Sequence, residues 1–449
     1  MKVSKFGGTS LATATQVKKV CSIVLSDPER QYIVVSAPGK RFKDDTKVTD
    51  LLINCANAKI SGGLATDQIN RVVERYAEIA SGLGLNDNII KIIKEDLNMR
   101  IKEETSNESQ FTDLLKAAGE DNAAKLVAEY LKSIGEEAVY INPKDAGLIL
   151  STEYGNARVL PESYNNLSKL NDCSGIKVFP GFFGYSLENK VVTFSRGGSD
   201  ITGSILAAAV NADVYENFTD VDSVYVADPR IVDTPRAIYE LTYREMRELA
   251  YAGFSILHEE ALEPVYRKGI PVHIKNTNNA SSNGTKIVTE RKTANGPVAG
   301  IAAERGFCSI NVSKYMMNRE IGFGRKVLHI LEDEGISFEH MPSGIDNISI
   351  MLRETKFDKQ TEERVLRKIR EELNVDSVDV QRGLGIVVVV GEGMSQTIGV
   401  AARVTVALAG ANVNIEMMNQ GSSEVSMIFG INSEDSEKAV RALYKEFFN

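Results

Sequence analysis

The feature that most constrains this chain lies at its start, where a short strand-like run stops on two glycines. Residues 2–10 read Lys-Val-Ser-Lys-Phe-Gly-Gly-Thr-Ser, and a helix pattern with one apolar face follows from Thr13. A continuous apolar run at 32–35 then predicts a buried strand. Strand, glycine turn, helix and strand together predict a parallel βαβ unit, and therefore an α/β fold.

The glycine turn of this unit is a candidate phosphate site. Gly7 and Gly8 leave backbone N–H groups at a helix start, where the helix dipole favours an anion. Lys5, on the strand end beside the turn, adds a mobile positive charge. Taken alone, the pattern fits equally well a turn whose glycines only let the strand run into the helix, because short glycine motifs recur by chance.

The same order of features returns near the middle of the chain. A predicted strand at 191–195 runs into Arg-Gly-Gly-Ser-Asp at 196–200, and a small-residue helix and a further strand at 214–218 follow. Two such loops at strand ends of one sheet would face a single phosphoryl-transfer site from two sides. Asp200 also has a simpler role available as the cap of its helix, and capping does not exclude catalysis.

Length and composition exclude several classes of protein. A chain of 449 residues is too long for one ordinary core, which predicts two or three domains. The net charge of −9 argues against nucleic acid or an anionic membrane surface as a partner. The four cysteines show no Cys-x-x-Cys spacing, which fits reduced thiols and excludes a zinc ribbon. Because the start is polar and no apolar run reaches membrane-spanning length, we expect a cytoplasmic protein.

Between the two glycine loops the pattern is mostly helical. A helix predicted over 111–134 carries Gly119 and Glu120 in its middle, flanked by alanines. Glycine there costs about 1 kcal/mol relative to alanine, and the small surface indicates that another segment approaches closely. Glu120 is therefore either an ordinary solvated side chain or a carboxylate placed for a ligand.

The last third of the chain contains an internal repeat. Several positions recur at a constant offset of 77 residues, as Gly344 and Gly421 do. Each copy is predicted to run strand, helix, strand, strand, helix, with 336–341 as the second strand of copy one. Copy one has a closing strand near 377–381, whereas copy two ends on its helix and would leave a sheet edge open. We infer that 298–303 fills this place.

These motifs together resemble the aspartokinases, members of the amino-acid kinase family that carry tandem ACT regulatory modules. The resemblance rests on residues 5–10, on 195–200 and on Thr-Asp at 219–220 ahead of Asp-Pro-Arg at 228–230, and it covers essentially the whole chain. It implies an α/β protein with a three-layer αβα sandwich kinase domain at 1–290. Two βαββαβ ACT modules would follow at 291–449, with copy one at about 304–382 and copy two at about 383–449 plus the strand 298–303.

The resemblance implies a monofunctional enzyme that phosphorylates the side-chain carboxylate of L-aspartate with ATP as co-substrate. The acceptor is ionised at neutral pH, because its reference pKa is about 3.9, and it needs no general base. Catalysis would then rest on positioning and on neutralising charge at the moving phosphoryl group. Mg²⁺ would be bound through ATP oxygens and water, and no residue is predicted as a dedicated metal ligand.

The resemblance also implies roles for single residues. Lys5 and Asp200 would be catalytic, Arg196 would hold the aspartate α-carboxylate, and Glu120 would receive the α-ammonium group. The implied aspartate-binding residues are Ser36, Thr49, Glu120, Arg196, Gly197, Gly198 and Ser199. The implied nucleotide-binding residues are Lys5, Gly7, Gly8, Thr219, Asp220, Tyr225, Arg230, Ser255 and Ile256. Where the family usually has Lys-Val-Leu-His-Pro, this chain reads Ser-Ile-Leu-His-Glu at 255–259, so a lysine contact to the nucleotide is missing.

ACT repeats in this family bind an end-product amino acid at an interface between two chains. This implies an allosteric amino acid and a homodimer, or a dimer of dimers, formed through the ACT region. The matching effector residues are Met317, Ser337, Phe338 and Glu339. An acidic residue beside exposed backbone suits a cationic amino acid, so lysine is the first expectation and threonine the second. Ser337 and Glu339 also fit ordinary strand positions.

Three other functions remain open at this stage. A related kinase of the same fold would act on another carboxylate substrate, although such kinases generally lack the pair of repeats. A non-catalytic amino-acid sensor would keep the fold, but retention of both Lys5 and Asp200 speaks against it. A nicotinamide-dependent dehydrogenase is disfavoured because no Gly-x-Gly-x-x-Gly follows a predicted strand and the chain ends just after the second repeat.

Overall fold

The computed structural model describes residues 1–195, 197–254, 256–279, 281–291 and 296–449. Two compact units are present, and each is built from several segments. The first unit comprises Met1–Val224, Ala237–Met246 and Ser255–Arg291. The second comprises Tyr225–Arg236, Arg247–Phe254 and Lys292–Asn449.

Strands and helices alternate over most of the chain up to Arg291. The strands are β1 (Lys2–Phe6), β2 (Arg30–Val35), β3 (Ala138–Tyr140), β4 (Ile176–Pro180), β5 (Phe183–Tyr185), β6 (Val191–Thr193), β7 (Val214–Thr219), β8 (Val224–Tyr225), β9 (Ala237–Ile238), β10 (Glu240–Thr242), β11 (Val272–Asn276) and β12 (Thr285–Val288). The α-helices are α1 (Ala14–Leu25), α2 (Val48–Ile60), α3 (Thr66–Leu83), α4 (Asn88–Arg100), α5 (Glu108–Ser133), α6 (Glu162–Ser168), α7 (Gly198–Val210), α8 (Tyr243–Tyr251) and α9 (Glu263–Lys268).

Eight strands form the central sheet of the first unit, in the order β10-β12-β11-β7-β1-β2-β4-β3. Strands β7, β1, β2 and β4 at its centre are parallel. Because successive side chains of a strand point to opposite faces, Lys5 lies on one face of β1 and Ser4 and Phe6 lie on the other. Phe6 packs in a core with α1 to α5, whereas Lys5 faces α7. Helices therefore cover both faces, as the three-layer expectation requires.

Strand β6 departs from the sequence-based expectation. It lies outside the central sheet and pairs antiparallel with β5 in a two-stranded hairpin. Asn189 makes this hairpin possible, because it takes a left-handed φ of 59° in the connecting turn. The prediction that both glycine loops follow strands of one sheet is therefore wrong. The helix after the second loop, α7, still packs on the central sheet beside β1 and β7.

The second unit is built on one antiparallel sheet in the order β14-β13-β15-β17-β16. Its strands are β13 (Gly300–Ser313), β14 (Asn347–Arg353), β15 (Ser377–Val390), β16 (Met417–Gln420) and β17 (Ser426–Asn432). Its helices are α10 (Phe323–Asp333), α11 (Lys359–Leu373), α12 (Val400–Gly410) and α13 (Ser436–Phe448). The start of β13, 300–305, lies opposite 385–390 of β15, and the rest of β13 lies opposite the start of β15. Both repeat copies therefore share these two long strands.

The prediction of a strand over 336–341 is wrong, because the pairing in this segment is much shorter. The structure has a single β-bridge there, between His340 and Met351. The N–H of Glu339 donates to the Met351 carbonyl at 2.8 Å, and the N–H of Met351 donates to the His340 carbonyl at 2.8 Å. Beyond them, the N–H of Ser349 donates to the Pro342 carbonyl at 3.0 Å and a further bridge joins Ser343 to Ile348, so this segment pairs with β14 through separate bridges rather than as a strand.

Candidate active site

Lys5 and Asp200 form a buried ion pair on the α7 face of the central sheet. The distance from Lys5 Nζ to Asp200 Oδ1 is 2.6 Å, and the two side chains are only 10% and 12% exposed. Asp200 lies in the first turn of α7. Tyr215 of β7 fixes this turn, since its hydroxyl donates to the Asp200 carbonyl at 3.0 Å. The two glycine loops, distant in sequence, therefore meet at one charged pair.

Asn217 completes this cluster, although none of the motifs recognised in the sequence includes it. It lies on β7 directly beside Lys5 in the sheet register. Its Nδ2 donates to Asp200 Oδ1 at 2.9 Å, and its Oδ1 accepts from Lys5 Nζ at 3.5 Å. The signal that could have revealed it is a polar side chain inside a strand whose neighbours are buried, because buried polar groups need partners.

Backbone hydrogen bonds hold the first glycine loop. The N–H of Gly7 donates to the Phe218 carbonyl at 3.1 Å, so this group, which we expected to face a phosphate, already belongs to the sheet. The N–H of Gly39 donates to the Gly8 carbonyl at 2.8 Å. Among the described residues, no acceptor is bonded to the N–H groups of Gly8 and Thr9. These two groups are the donors that this turn can offer to an anion.

The second glycine loop is held by packing rather than by the sheet. Gly197 precedes α7 with a left-handed φ of 75°. Residues other than glycine rarely adopt this backbone conformation. A Cβ on Gly198 would lie 2.6 Å from the ring of Phe182. Ser199 follows in the first turn of α7 and is buried. Arg196, the expected partner of the aspartate α-carboxylate, lies outside the described residues.

Helix α5 brings Glu120 to the loop that follows β2. The side chain is buried, and its Oε2 has no hydrogen-bond partner among the described residues. Burial raises the pKa of Glu120 to about 8, while a hydrogen bond from the Ala37 N–H opposes this rise. A buried carboxyl with one unused oxygen is a favourable site for a cationic group.

Ser36 and Thr49 border the same loop as Glu120. The N–H of Ser36 donates to the Phe6 carbonyl at 3.2 Å, which places Ser36 at the end of β2 next to the first glycine loop. Helix α2 begins at Val48, so Thr49 lies in its first turn. Arg75 of α3 holds the loop between them, since its Nη2 donates to the Gly39 carbonyl at 2.7 Å.

The residues expected on the nucleotide side are divided between the two units. In the first unit, Thr219 ends β7 and its hydroxyl donates to Asp220 Oδ1 at 3.3 Å. Ile256 is half-buried in the first unit, and Ser255 lies outside the described residues. Tyr225 and Arg230 belong to the second unit. There the Arg230 guanidinium is largely exposed and pairs with Asp228 at 2.6 Å.

The residues expected to bind an effector lie in the first repeat copy. Ser337 and Phe338 are exposed, whereas Met317 is buried in the core of this copy. Glu339 already has a cationic partner, because Arg353 Nε donates to its Oε1 at 3.0 Å. The same guanidinium pairs with Glu304 at 2.7 Å, so the three side chains form one network.

Across the described residues, no group of three or more His, Cys, Asp and Glu side chains is arranged to hold a metal ion. None of the helices in the described parts of the chain combines the length and apolarity that a membrane crossing requires.

Known protein families match both parts of this chain. Residues 1–276 match the amino acid kinase family, and residues 387–447 match the ACT domain. The chain is 56% identical to aspartokinase 3 of Bacillus subtilis (strain 168) over 448 residues, which covers 100% of this chain and 99% of that protein. The chain belongs to the aspartokinase family. Both the family resemblance and the fold class expected from the sequence are thereby confirmed.

Two solved aspartokinases have the same fold along the whole chain. The aspartate kinase of Clostridium acetobutylicum superposes with a TM-score of 0.87 at 40% identity, covering 100% of both chains. Aspartokinase III of E. coli, in complex with aspartate and ADP, has a TM-score of 0.82 at 25% identity and full coverage of both chains. The same E. coli enzyme in complex with lysine and aspartate has a TM-score of 0.73 at 25% identity, again with full coverage.

Proposed function

We propose that this aspartokinase transfers the γ-phosphoryl group of ATP to the side-chain carboxylate of L-aspartate, giving 4-phospho-L-aspartate and ADP. The observation that carries the proposal is the buried pair of Lys5 and Asp200, where the two glycine loops meet. The E. coli enzyme of the same fold, solved with aspartate and ADP, supports this choice of substrates.

In this proposal the chemistry needs charge neutralisation and no base. A carboxylate oxygen of aspartate forms a bond to the γ-phosphorus, and the bond to the β,γ-bridging oxygen breaks with its electron pair leaving on ADP. Lys5 carries three N–H donors, of which one points to Asp200 and one to Asn217. The third is directed to a phosphate oxygen, and the N–H groups of Gly8 and Thr9 bind another. Asp200 acts by holding the Lys5 ammonium in place.

The proposed aspartate site lies between the loop after β2 and the second glycine loop. Glu120 receives the α-ammonium group through its unpaired Oε2. Arg196 binds the α-carboxylate through its bidentate guanidinium fork. The hydroxyls of Ser36, Thr49 and Ser199, together with the backbone at 197–198, line the rest of the site.

The proposed nucleotide-binding residues are Lys5, Gly7, Gly8, Thr219, Asp220, Ser255 and Ile256, and Tyr225 and Arg230 of the second unit are proposed for the same role. Gly7 offers the nucleotide no hydrogen-bond donor, because its N–H is bonded to the Phe218 carbonyl. Its contribution is the absence of a side chain. Mg²⁺ would enter with ATP and neutralise phosphate charge. Binding through ATP oxygens and water suits this ion, because Mg²⁺ dehydrates reluctantly and keeps part of its water shell.

Turnover with a panel of carboxylates tests the proposal. Purified protein is given ATP, Mg²⁺ and hydroxylamine, which traps acyl phosphates as hydroxamates, with aspartate, glutamate or acetylglutamate as acceptor. We expect hydroxamate with aspartate in at least tenfold excess over the other acceptors. Equal or greater turnover with another acceptor would favour the related-kinase alternative, and no turnover with any would favour the amino-acid sensor.

We further propose that lysine is the allosteric effector, bound near Ser337, Phe338 and Glu339. The lysine complex of the E. coli enzyme supports this proposal, and so does the acidic side chain of Glu339. Because Arg353 already pairs with Glu339, a lysine ammonium at this carboxylate would replace that guanidinium. The proposal thus requires Arg353 to shift when lysine binds.

The effector proposal is tested by turnover with added lysine, threonine or both. We expect lysine alone to inhibit, and Glu339→Gln to raise the half-inhibitory lysine concentration about tenfold, as loss of a charged hydrogen bond does. Glu371→Gln, on the exposed face of α11, is the matched control and should leave inhibition unchanged. Inhibition by threonine alone would replace lysine with the second expectation.

Domain limits, assembly and location complete the proposal. We propose a kinase domain at 1–290 and an ACT region at 291–449, in which 298–303 completes copy two at about 383–449 and copy one spans about 304–382.

We propose a homodimer or a dimer of dimers formed through the ACT region, in the cytoplasm. The fully exposed isoleucines Ile321 and Ile398, at equivalent positions of the two copies, support such an interface. Light scattering after size exclusion tests it, because a monomer at micromolar concentration would contradict it.

A further inference from the structure

We propose that Asn217 is a positioning residue of the transfer step, which keeps Asp200 in place while Lys5 binds the phosphoryl group. The inference rests on the proposed roles of Lys5 and Asp200. It adds a residue that none of the sequence motifs contains.

The geometry of the three side chains allows only one arrangement. The Asp200 carboxylate can only accept and the Lys5 ammonium can only donate, so the Asn217 amide must turn Nδ2 to the first and Oδ1 to the second. The structure has this orientation, with distances of 2.9 Å and 3.5 Å. Asn217 is 2% exposed, so water does not compete for these bonds.

The sheet fixes Asn217 independently of the two loops. It lies opposite Lys5 in the parallel ladder between β1 and β7, on the face that carries Tyr215. Tyr215 holds the backbone of Asp200, and Asn217 holds its carboxylate. When the third donor of Lys5 binds a phosphate oxygen, the phosphate competes with Asp200 for the ammonium charge, but Asp200 keeps the bond from Asn217. The carboxylate therefore remains where it can orient the ammonium.

A neutral amide suits this task better than an acid or an apolar side chain. A leucine would remove the second donor to Asp200 and leave its carboxylate free to follow Lys5. An aspartate would keep the shape but place a second negative charge beside Lys5, where it would repel the incoming phosphates. Only when this new carboxyl is protonated could it donate to Asp200 as the amide does.

The experiment compares Asn217→Leu, Asn217→Asp and a matched control in the full chain. Ser4→Ala is the control, because Ser4 also makes a buried side-chain bond between β1 and β7, to Glu216 at 2.9 Å, but on the opposite face. We expect kcat to fall about 10- to 100-fold in both Asn217 variants, with KM for aspartate and ATP within about threefold of wild type. Ser4→Ala should keep wild-type kcat even if its melting temperature falls.

The pH profile separates positioning from a merely structural role. Relative to wild type, kcat of Asn217→Asp should recover as pH falls, because the protonated carboxyl donates to Asp200, whereas Asn217→Leu should stay low throughout. Wild-type kcat in both variants, or a loss that Ser4→Ala reproduces, would overturn the proposal. If wild-type protein itself makes no hydroxamate from aspartate, the proposed function fails rather than this inference.

Discussion

The two glycine loops have similar sequences but are built in different ways. The loop at Gly7–Gly8 ends a central strand and is held by backbone bonds to Phe218 and Gly39. The loop at Gly197–Gly198 follows a hairpin strand outside the central sheet. This second loop packs against Phe182 instead, and Gly197 turns the chain with a left-handed φ.

The difference shows that a shared motif does not require a shared scaffold. In the first loop the sheet fixes Lys5, and in the second the helix α7 fixes Asp200. Convergence at one ion pair is therefore a property of how α7 packs on β1 and β7, rather than of two equivalent strand ends. The first loop is therefore constrained by backbone atoms of the sheet, and the second mainly by neighbouring side chains and by the φ of Gly197.

The strongest test of convergence is Lys5→Ala. If both loops serve one transferred phosphoryl group, removing the charge at their meeting point should lower kcat by about 10²- to 10³-fold, as loss of one such group does elsewhere. Steady-state turnover with aspartate and ATP measures this effect. The fold is checked by circular dichroism, because Asp200 loses its ion-pair partner.

Lys2→Ala is the control for Lys5→Ala. Lys2 lies on the same strand but pairs with Asp27 at 2.7 Å, away from the loops. It should keep wild-type kcat. A folded Lys5→Ala variant with wild-type kcat would show that the ion pair is structural and that the loops do not meet at a reaction site.

A smaller effect should distinguish the two loops themselves. In Gly8→Ala the new Cβ would lie 2.8 Å from the Ala37 carbonyl oxygen, whereas in Gly198→Ala it would lie 2.6 Å from a Phe182 ring carbon. The Ala37 oxygen is a backbone atom next to the central sheet, whereas the two nearest contacts at Gly198, with Phe182 and with Phe194 Cβ at 2.9 Å, are to side chains outside that sheet, which can shift at a lower free-energy cost. We expect kcat/KM to fall about 100-fold in Gly8→Ala and about tenfold in Gly198→Ala.

Gly410→Ala is the control for this pair, because its Cβ would enter open space. It should match wild type. A larger loss in Gly198→Ala than in Gly8→Ala would reverse the comparison and place the tighter constraint at the second loop.

The smallest expected effect is a pH dependence of the KM for aspartate, which Glu120, near the first glycine loop, should cause. Because its pKa is raised to about 8, the carboxyl is mostly neutral at pH 7 and only its ionised form can pair with the aspartate ammonium. The KM for aspartate should therefore rise about tenfold from pH 9 to pH 7. Glu120→Gln should remove this pH dependence, while Glu129→Gln on the same helix should keep it. A wild-type KM independent of pH in this range would show that Glu120 does not bind the ammonium.

The same group predicts how the ligand-free protein responds to pH. A carboxyl whose pKa is raised by folding stabilises the native state fully below its unfolded pKa, which is about 4.3. This contribution is lost as pH rises through the folded pKa of about 8. The melting temperature of wild type should therefore fall relative to Glu120→Gln between these limits, and an unchanged difference would contradict the raised pKa.

The sequence alone was enough to predict the alternation of strands and helices, the tandem repeat and the residues of both loops. These features are local, because hydrophobic periodicity and turn chemistry act over a few residues. The recurrence of Gly344 as Gly421 is visible in the same way. Lys5 and Asp200 could be singled out because each stands in a short motif that can be recognised without its partner.

The tertiary structure alone decided which of these residues meet. The position of β6 in a hairpin, the bond from Asn217 to Asp200 and the pairing of Glu339 with Arg353 all depend on strand order and register. Such pairings join residues far apart in the chain, and their free energy comes from burial and hydrogen bonding that exist only after the sheet has formed. No local pattern encodes these pairings: a polar side chain within a buried strand indicates that Asn217 needs a partner, but not which partner.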